Sequence, residues 1–104
     1  MSEEIKQIKM SDFEKENDYF PHVFILPNPG LKYEKVEICG SFTDWKVKIP
    51  MRFDNFTSRW FSNQHLRKGK HYYKYMINGT KWVLNEKEPR EIDLSGFENN
   101  ILNI

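Results

Sequence analysis

The stretch "HYYKYMINGTKW", residues 71–82, decides the fold. Tyr73, Tyr75 and Ile77 alternate with Tyr72, Lys74 and Met76, so an extended chain sends the first set to one face and the second to the other. The first set carries no charge and is the core side; Lys74 marks the opposite face. Asn78-Gly79 follows, and because both residues tolerate positive φ the pair predicts a hairpin that returns the chain into a strand carrying Trp82. Turn length then decides where the indole points. A two-residue turn pairs Thr80 with Ile77, Lys81 with Met76 and Trp82 with Tyr75, on the core side. A three-residue turn or a bulge returns Trp82 to the face of Lys74. The sequence leaves both open.

Outward from this hairpin the chain has the same texture. From Pro21 onward short runs rich in β-formers, "HVFIL", "KVEICG", "IPMRF", "RWFSNQHL", "TKWVL" and "NILNI", are separated by Asn, Gly, Pro and Asp. Such spacing predicts an antiparallel sandwich or a small barrel. In "KVEICG" Val36 and Ile38 alternate with Glu37 and Cys39 and are expected to meet Tyr73 and Ile77 across the sandwich. Residues 3–17 place Ile5, Ile8 and Phe13 at roughly helical spacing among many charges, which predicts a tail or a marginal helix. The expected organisation is an N-terminal tail over 1–20 and one β unit over 21–104.

Composition narrows the function. A chain of 104 residues supports one core. Sixteen Lys and Arg balance fifteen Asp and Glu, so no net field recruits nucleic acid or an anionic membrane. The nearest basic patch, "LRKGKHYYK" at 66–74, is centred on Gly69 and reads as a solvated turn. No run approaches the roughly eighteen apolar residues of a membrane span, and the charged start is unlike a signal peptide. Cys39 is the single cysteine, which points to a reducing, cytoplasmic setting and removes any thiolate cluster for a metal.

A search for chemistry finds a binder instead of an enzyme. His22, His65 and His71 sit on different predicted elements without metal-type spacing, and no phosphate loop, dinucleotide fingerprint or nucleophile elbow occurs. The acidic run "NEKEP", 85–89, has the composition of a loop. No catalytic residue, metal or cofactor is expected. What is left over is aromatic. Trp45 closes "CGSFTDW", 39–45, on a loop, and Trp82 lies beside a turn, with Lys74 pointing away from the core nearby. A flat indole suits the apolar C–H face of a sugar ring, and an ammonium group suits its hydroxyls. The plainer reading of both tryptophans is as plugs closing the ends of a small sandwich.

"VEICGSFTDWKVKIPM", "LRKGKHYYKYMINGTKW" and "EPREIDLSGFENNILNI", in that order, resemble the glycogen-binding domain of AMP-activated protein kinase β subunits, a family 48 carbohydrate-binding module. The resemblance spans Pro21 to Ile104. It implies an all-β, immunoglobulin-like β-sandwich behind the short charged tail or marginal helix, and a non-catalytic module that holds α-1,4-linked glucans such as glycogen or starch. It implies that Trp45 and Trp82 stack on sugar and that Lys74 and the first of the paired asparagines, Asn99, hydrogen-bond its hydroxyls.

Three departures accompany it. Thr80 and Lys81 both stand between the turn glycine and Trp82, where the family typically has one residue. Ser95 replaces an apolar residue that inserts against sugar, and Phe97 brings a ring where the family uses a small hydroxyl. That ring is open equally to stacking in its own right, to blocking the groove or to packing against another protein. Asn85-Glu86 replaces the Asp-Pro that usually follows the second tryptophan. A β subunit also continues beyond this module, and the sequence ends at Ile104. Two functions follow as expectations: a glucan binder, or a structural adaptor subunit of a larger intracellular assembly that keeps the sandwich and has lost the sugar. Exposure of Trp82 favours the first. Its burial, with Phe97 or the N-terminal segment against another protein, favours the second.

Overall fold

The computed structural model describes residues 18–28 and 33–104. Along these the chain forms β1 (Tyr19–Pro27), β2 (Val36–Gly40), a single 3₁₀ turn at Ser41–Thr43, β3 (Ile49–Pro50), β4 (Arg52–Asp54) and β5 (Arg59–Arg67). Then come β6 (Lys70–Ile77), β7 (Lys81–Val83), β8 (Arg90–Ile92) and β9 (Glu98–Asn103). All pairings are antiparallel. One sheet has the order β1-β5-β4; the other runs β3-β2-β6-β9-β8, with β7 also paired to β6. The molecule is an all-β sandwich of two antiparallel sheets. The tail or helix expected at the N-terminus lies, through residue 17, outside the described residues.

The alternation in β6 is realised as read. Tyr73, Tyr75 and Ile77 are buried in the core, with Val36 and Ile38 from β2 and Phe24, Leu26, Trp60 and Leu66 from the smaller sheet. An aromatic edge joins the sheets, Phe24 of β1 meeting Tyr73 of β6 edge-on at 4.8 Å, and within β6 Tyr73 meets Tyr75 at 5.9 Å. Val36 and Ile38, however, do not face β6 across the sandwich. They pair with it in the same sheet, Val36 opposite Ile77 and Ile38 opposite Tyr75. Alternation assigns a face, and residues sharing a face can be neighbours in one sheet as readily as partners across two.

"IPMRF" also divides in two. Ile49 and Pro50 pair with β2, whereas Arg52 to Asp54 pair with β5. Met51, 7% exposed, sits at the crossing, and its N–H donates to the Val36 carbonyl at 2.8 Å. The chain thus changes sheets at one buried residue, and the loop at 41–48 joins β2 to β3 just before that crossing.

The paired asparagines near the C-terminus divide their work by strand alternation. Asn100 points inward, fully buried. Its Oδ1 accepts from Asn85 N at 2.8 Å, and its Nδ2 donates to the Asn85 carbonyl at 2.9 Å and the Pro89 carbonyl at 3.2 Å. Asn85 Nδ2 in turn donates to the Ile25 carbonyl at 2.8 Å. This network ties the loop from β7 to β8 onto both sheets and satisfies backbone groups that the loop would otherwise bury unpaired.

Candidate functional site

The outer face of the larger sheet is set by β6. Lys74 and Met76 point outward, with Cys39 and Glu37 opposite them on β2. The turn after β6 has three residues. Ile77 pairs with Lys81 and Met76 with Trp82, and Thr80 N donates to the Ile77 carbonyl at 3.0 Å. Asn78 and Gly79 take φ of 51° and 71°, as their residue types favour. Thr80 is therefore absorbed in the turn, and Trp82 stands on the face of Lys74, 43% exposed. Asn78 also fastens the turn to the approach to β2, its Oδ1 accepting from the N–H groups of Glu34 at 2.8 Å and Lys35 at 3.0 Å.

Each residue of "GSFTDW" has a local reason. A Cβ on Gly40 would lie 2.6 Å from the Tyr72 carbonyl oxygen and 2.3 Å from the Phe42 ring, so only glycine fits. Ser41 Oγ accepts the Tyr72 N–H at 2.9 Å and fixes the 3₁₀ turn against β6. Phe42 turns inward and stacks on Phe24, ring centres 5.5 Å apart. Asp44 and Trp45 then both adopt left-handed φ, 54° and 61°, a conformation that costs a residue bearing a Cβ roughly 1–2 kcal/mol. Trp45 N donates to the Gly40 carbonyl at 3.0 Å and its carbonyl accepts the Cys39 thiol at 3.6 Å, so both backbone groups are held. Burial pushes the Cys39 thiol pKa up, keeping it protonated for that bond. Backbone strain of this kind concentrates at functional positions. Here it turns the indole away from the core, 38% exposed.

Lys74 is where the face converges. Its Nζ lies 5.5 Å from the Trp45 ring centre, 5.4 Å from that of Trp82 and 5.5 Å from that of Phe97. The two indole centres are therefore no more than about 11 Å apart, within the span of one short oligosaccharide. Lys48 Nζ approaches Trp82 as well, at 5.9 Å. A cation set among rings is attracted by their negative faces, about 0.5–1 kcal/mol for each exposed contact. That attraction orders both the lysine and the rings around it.

Asn99, on the same face, is 1% exposed. Its Nδ2 donates to Asp93 Oδ2 at 2.7 Å and, more weakly, to the Phe97 carbonyl at 3.4 Å. Its Oδ1 has no hydrogen-bond partner. The structure thus brings Trp45, Lys74 and Trp82 together at the surface and sets Asn99 just beneath them. It adds Phe97, 63% exposed, a ring whose role the sequence left open between stacking on sugar, blocking the groove and packing against another protein. The signal for it was a ring on a loop where a hydroxyl was expected.

Other chemistry does not assemble. Among the described residues no three His, Cys, Asp or Glu side chains are grouped to hold a metal ion, and no helix is long and apolar enough to cross a membrane. His22 is turned inward against Phe24, ring centres 4.7 Å apart, and burial lowers its pKa. His71 Nε2 lies 2.7 Å from the Arg67 carbonyl. An open cleft of about 420 Å³, lined in part by Ile25, Asn28, Arg59 and Asn85, shares no residue with the ring cluster. The rings stand on an open face, a geometry suited to a polymer that must pass across the surface and unsuited to enclosing a small substrate.

Comparison with known proteins agrees with this geometry. Residues 20–104 match the family model described as the glycogen recognition site of AMP-activated protein kinase. Similar proteins include ULP1-interacting protein 4 of Saccharomyces cerevisiae, 24% identical over 84 residues, 74% of this chain and 27% of that protein. A chloroplastic phosphoglucan phosphatase of Arabidopsis thaliana is 38% identical over 74 residues, 70% of this chain and 12% of that protein. The 5'-AMP-activated protein kinase subunit beta-2 of Homo sapiens is 31% identical over 71 residues, 68% of this chain and 25% of that protein. The chain spans about a quarter or less of the length of these relatives. With the match covering nearly all the described residues, and with a two-sheet sandwich carrying exposed rings on one face, the chain belongs to the family of glycogen-recognition modules of AMP-activated protein kinase and is a carbohydrate-binding module.

Proposed function

We propose that this module binds α-1,4-linked glucans, of the glycogen or starch kind, on the outer face of its larger sheet, without catalysing a reaction. Trp45 and Trp82 stack on pyranose rings, Lys74 donates to hydroxyls between them, and the unpartnered Oδ1 of Asn99 accepts from a hydroxyl that reaches below the rings. One observation carries the reading: two indoles left exposed by their own chain converge on a single ammonium group. An indole at 38–43% exposure is costly surface unless something covers it. The family match and the phosphoglucan phosphatase among the relatives support a glucan as the cover.

A shallow face with two stacked rings offers about 4–7 kcal/mol in all, a dissociation constant on the order of 10 μM to 1 mM. The adaptor reading drew its support from a buried Trp82, and Trp82 is exposed. Relatives carry the matching segment within longer chains. The module is accordingly proposed to deliver a larger polypeptide, or protein partners in an assembly, to a glucan surface. The cytoplasm is the proposed location, supported by the single buried thiol of Cys39.

Intrinsic tryptophan fluorescence during titration with maltoheptaose tests the assignment, backed by affinity electrophoresis through soluble glycogen. Quenching or a blue shift that saturates below a few millimolar, and lost in Trp45→Ala with the fold retained, is the expected result. A flat titration together with unretarded migration would sink it.

A further inference from the structure

We propose that Phe97 is a third stacking platform, locked in place by Asp93 and Asn99, which extends the glucan face past the two tryptophans and makes the site selective for longer chains; this rests on the glucan reading above. The Phe97 ring centre lies as close to Lys74 Nζ, 5.5 Å, as those of Trp45 and Trp82. At 63% exposure it is not covering the core of its own domain. An exposed phenyl ring on a loop ordinarily samples several positions, and ordering it on a ligand costs conformational entropy. Here the backbone beneath the ring is fixed from both sides.

Asp93 supplies the lock. Its Oδ1 accepts the N–H groups of Ser95 at 2.9 Å and Phe97 at 3.0 Å. Its own N–H donates to the Phe97 carbonyl at 2.8 Å, and its carbonyl accepts the Gly96 N–H at 3.0 Å. Gly96 takes φ of 87°, which closes this tight loop without side-chain strain. Asp93 Oδ2 accepts Asn99 Nδ2 at 2.7 Å, and Asn99 is rooted in β9 with almost no exposure. The loop is thereby bolted to the sheet and the ring is held beside Lys74 before any ligand arrives. Pre-organisation of this kind raises affinity by lowering the ordering cost of binding. Three rings disposed around one point suit the curved path of an α-1,4 chain better than a straight β-1,4 chain, and the third ring is useful only to a ligand long enough to reach it.

The test uses the full chain, with maltotriose, maltoheptaose and cellohexaose as probes, read by isothermal titration calorimetry. The wild type should bind maltoheptaose well above maltotriose, with cellohexaose weakest. Phe97→Ala should weaken maltoheptaose about five- to tenfold while leaving maltotriose within about twofold, and Phe97→Tyr should retain the wild-type preference for length. Asp93→Ala keeps the ring but frees the loop. It should give a smaller loss with the same dependence on length, which a merely structural role would not produce. Equal denaturation midpoints for wild type and Phe97→Ala are expected because the ring is exposed. Unchanged or tighter maltoheptaose binding by Phe97→Ala overturns the proposal, marking the ring as a bystander, a block or a contact for another protein. If the wild type binds none of the probes, the glucan reading itself fails; if it binds and Phe97→Ala loses nothing, only the third platform fails.

Discussion

Trp45 holds an unfavourable backbone conformation for the sake of where its side chain goes. The left-handed φ of 61° stabilises nothing in the core, since the indole points away from it. Replacing Trp45 with Gly should therefore leave stability unchanged or raise it by up to about 1 kcal/mol, as expected where positive φ favours glycine, while abolishing glycogen retention. Urea denaturation and affinity electrophoresis on the same preparation decide it. Gly40 is the opposite case. A methyl group there meets the Tyr72 carbonyl oxygen and the Phe42 ring, so Gly40→Ala should cost about 1–3 kcal/mol by overpacking, measured by the same denaturation. The asymmetry between these neighbours was only half legible in the sequence. The oddity of a tryptophan closing a polar loop is visible in "CGSFTDW", but which aromatic of that stretch fills the core and which faces solvent depends on a 3₁₀ turn that Ser41 secures by bonding a strand thirty residues away.

The hairpin of β6 and β7 shows how a length change can be absorbed without a change of face. Asn78 and Gly79 already have the positive φ values of a two-residue hairpin turn, and Lys81 already pairs with Ile77. Deleting Thr80 lets those two residues close the turn alone with the same pairs opposite each other. The variant should stay within about 1 kcal/mol of wild type, a usual bound for changes in surface turns, and keep its glucan affinity within about twofold. Loss of the fluorescence response in that variant would show that the register had shifted. At this scale the strands were legible because alternation is a local property of the chain. Three things were not. Alternation could not say that Val36 and Ile38 neighbour β6 in its own sheet, because that is topology. It could not say that "IPMRF" changes sheets at Met51, because both halves read as strand. It could not choose the turn length, because Asn-Gly suits either. Asn100→Ala tests the element joining these parts: it strands the Asn85 N–H in a buried site and should cost about 1–3 kcal/mol.

Across the whole molecule, acid acts on the core and on the binding face at different stages. Burial lowers the His22 pKa in the folded state. Its contribution is full above the ordinary histidine value and declines as pH falls through that value toward the lowered one. Asp93 and Glu91 are also held below the ordinary carboxylate range, Asp93 chiefly by the Phe97 N–H and Glu91 chiefly by Lys70. Lys74 of β6 adds a smaller pull on Asp93 in the same direction. What these carboxylates contribute is present above their unfolded values and is lost as pH falls through the lowered folded ones. The expected outcome is a modest drop in the denaturation midpoint between neutral and mildly acidic pH. Maltoheptaose affinity should stay flat over that interval and fall only in strong acid as the Asp93 lock is protonated; an affinity that tracks histidine titration would contradict this order. The sandwich was legible in the sequence as a whole, whereas the convergence of Trp45, Trp82 and Phe97 on Lys74 was not, since it brings the β6–β7 hairpin together with two loops far from it in the chain. Cys39 lies directly under that convergence, buried, with its thiol on the Trp45 carbonyl. Alkylating reagents can reach this sulfur only when the loop above it lifts. The lone thiol is thus a built-in clock for the platform: its labelling rate counts openings, and a bound oligosaccharide should slow it in proportion to occupancy.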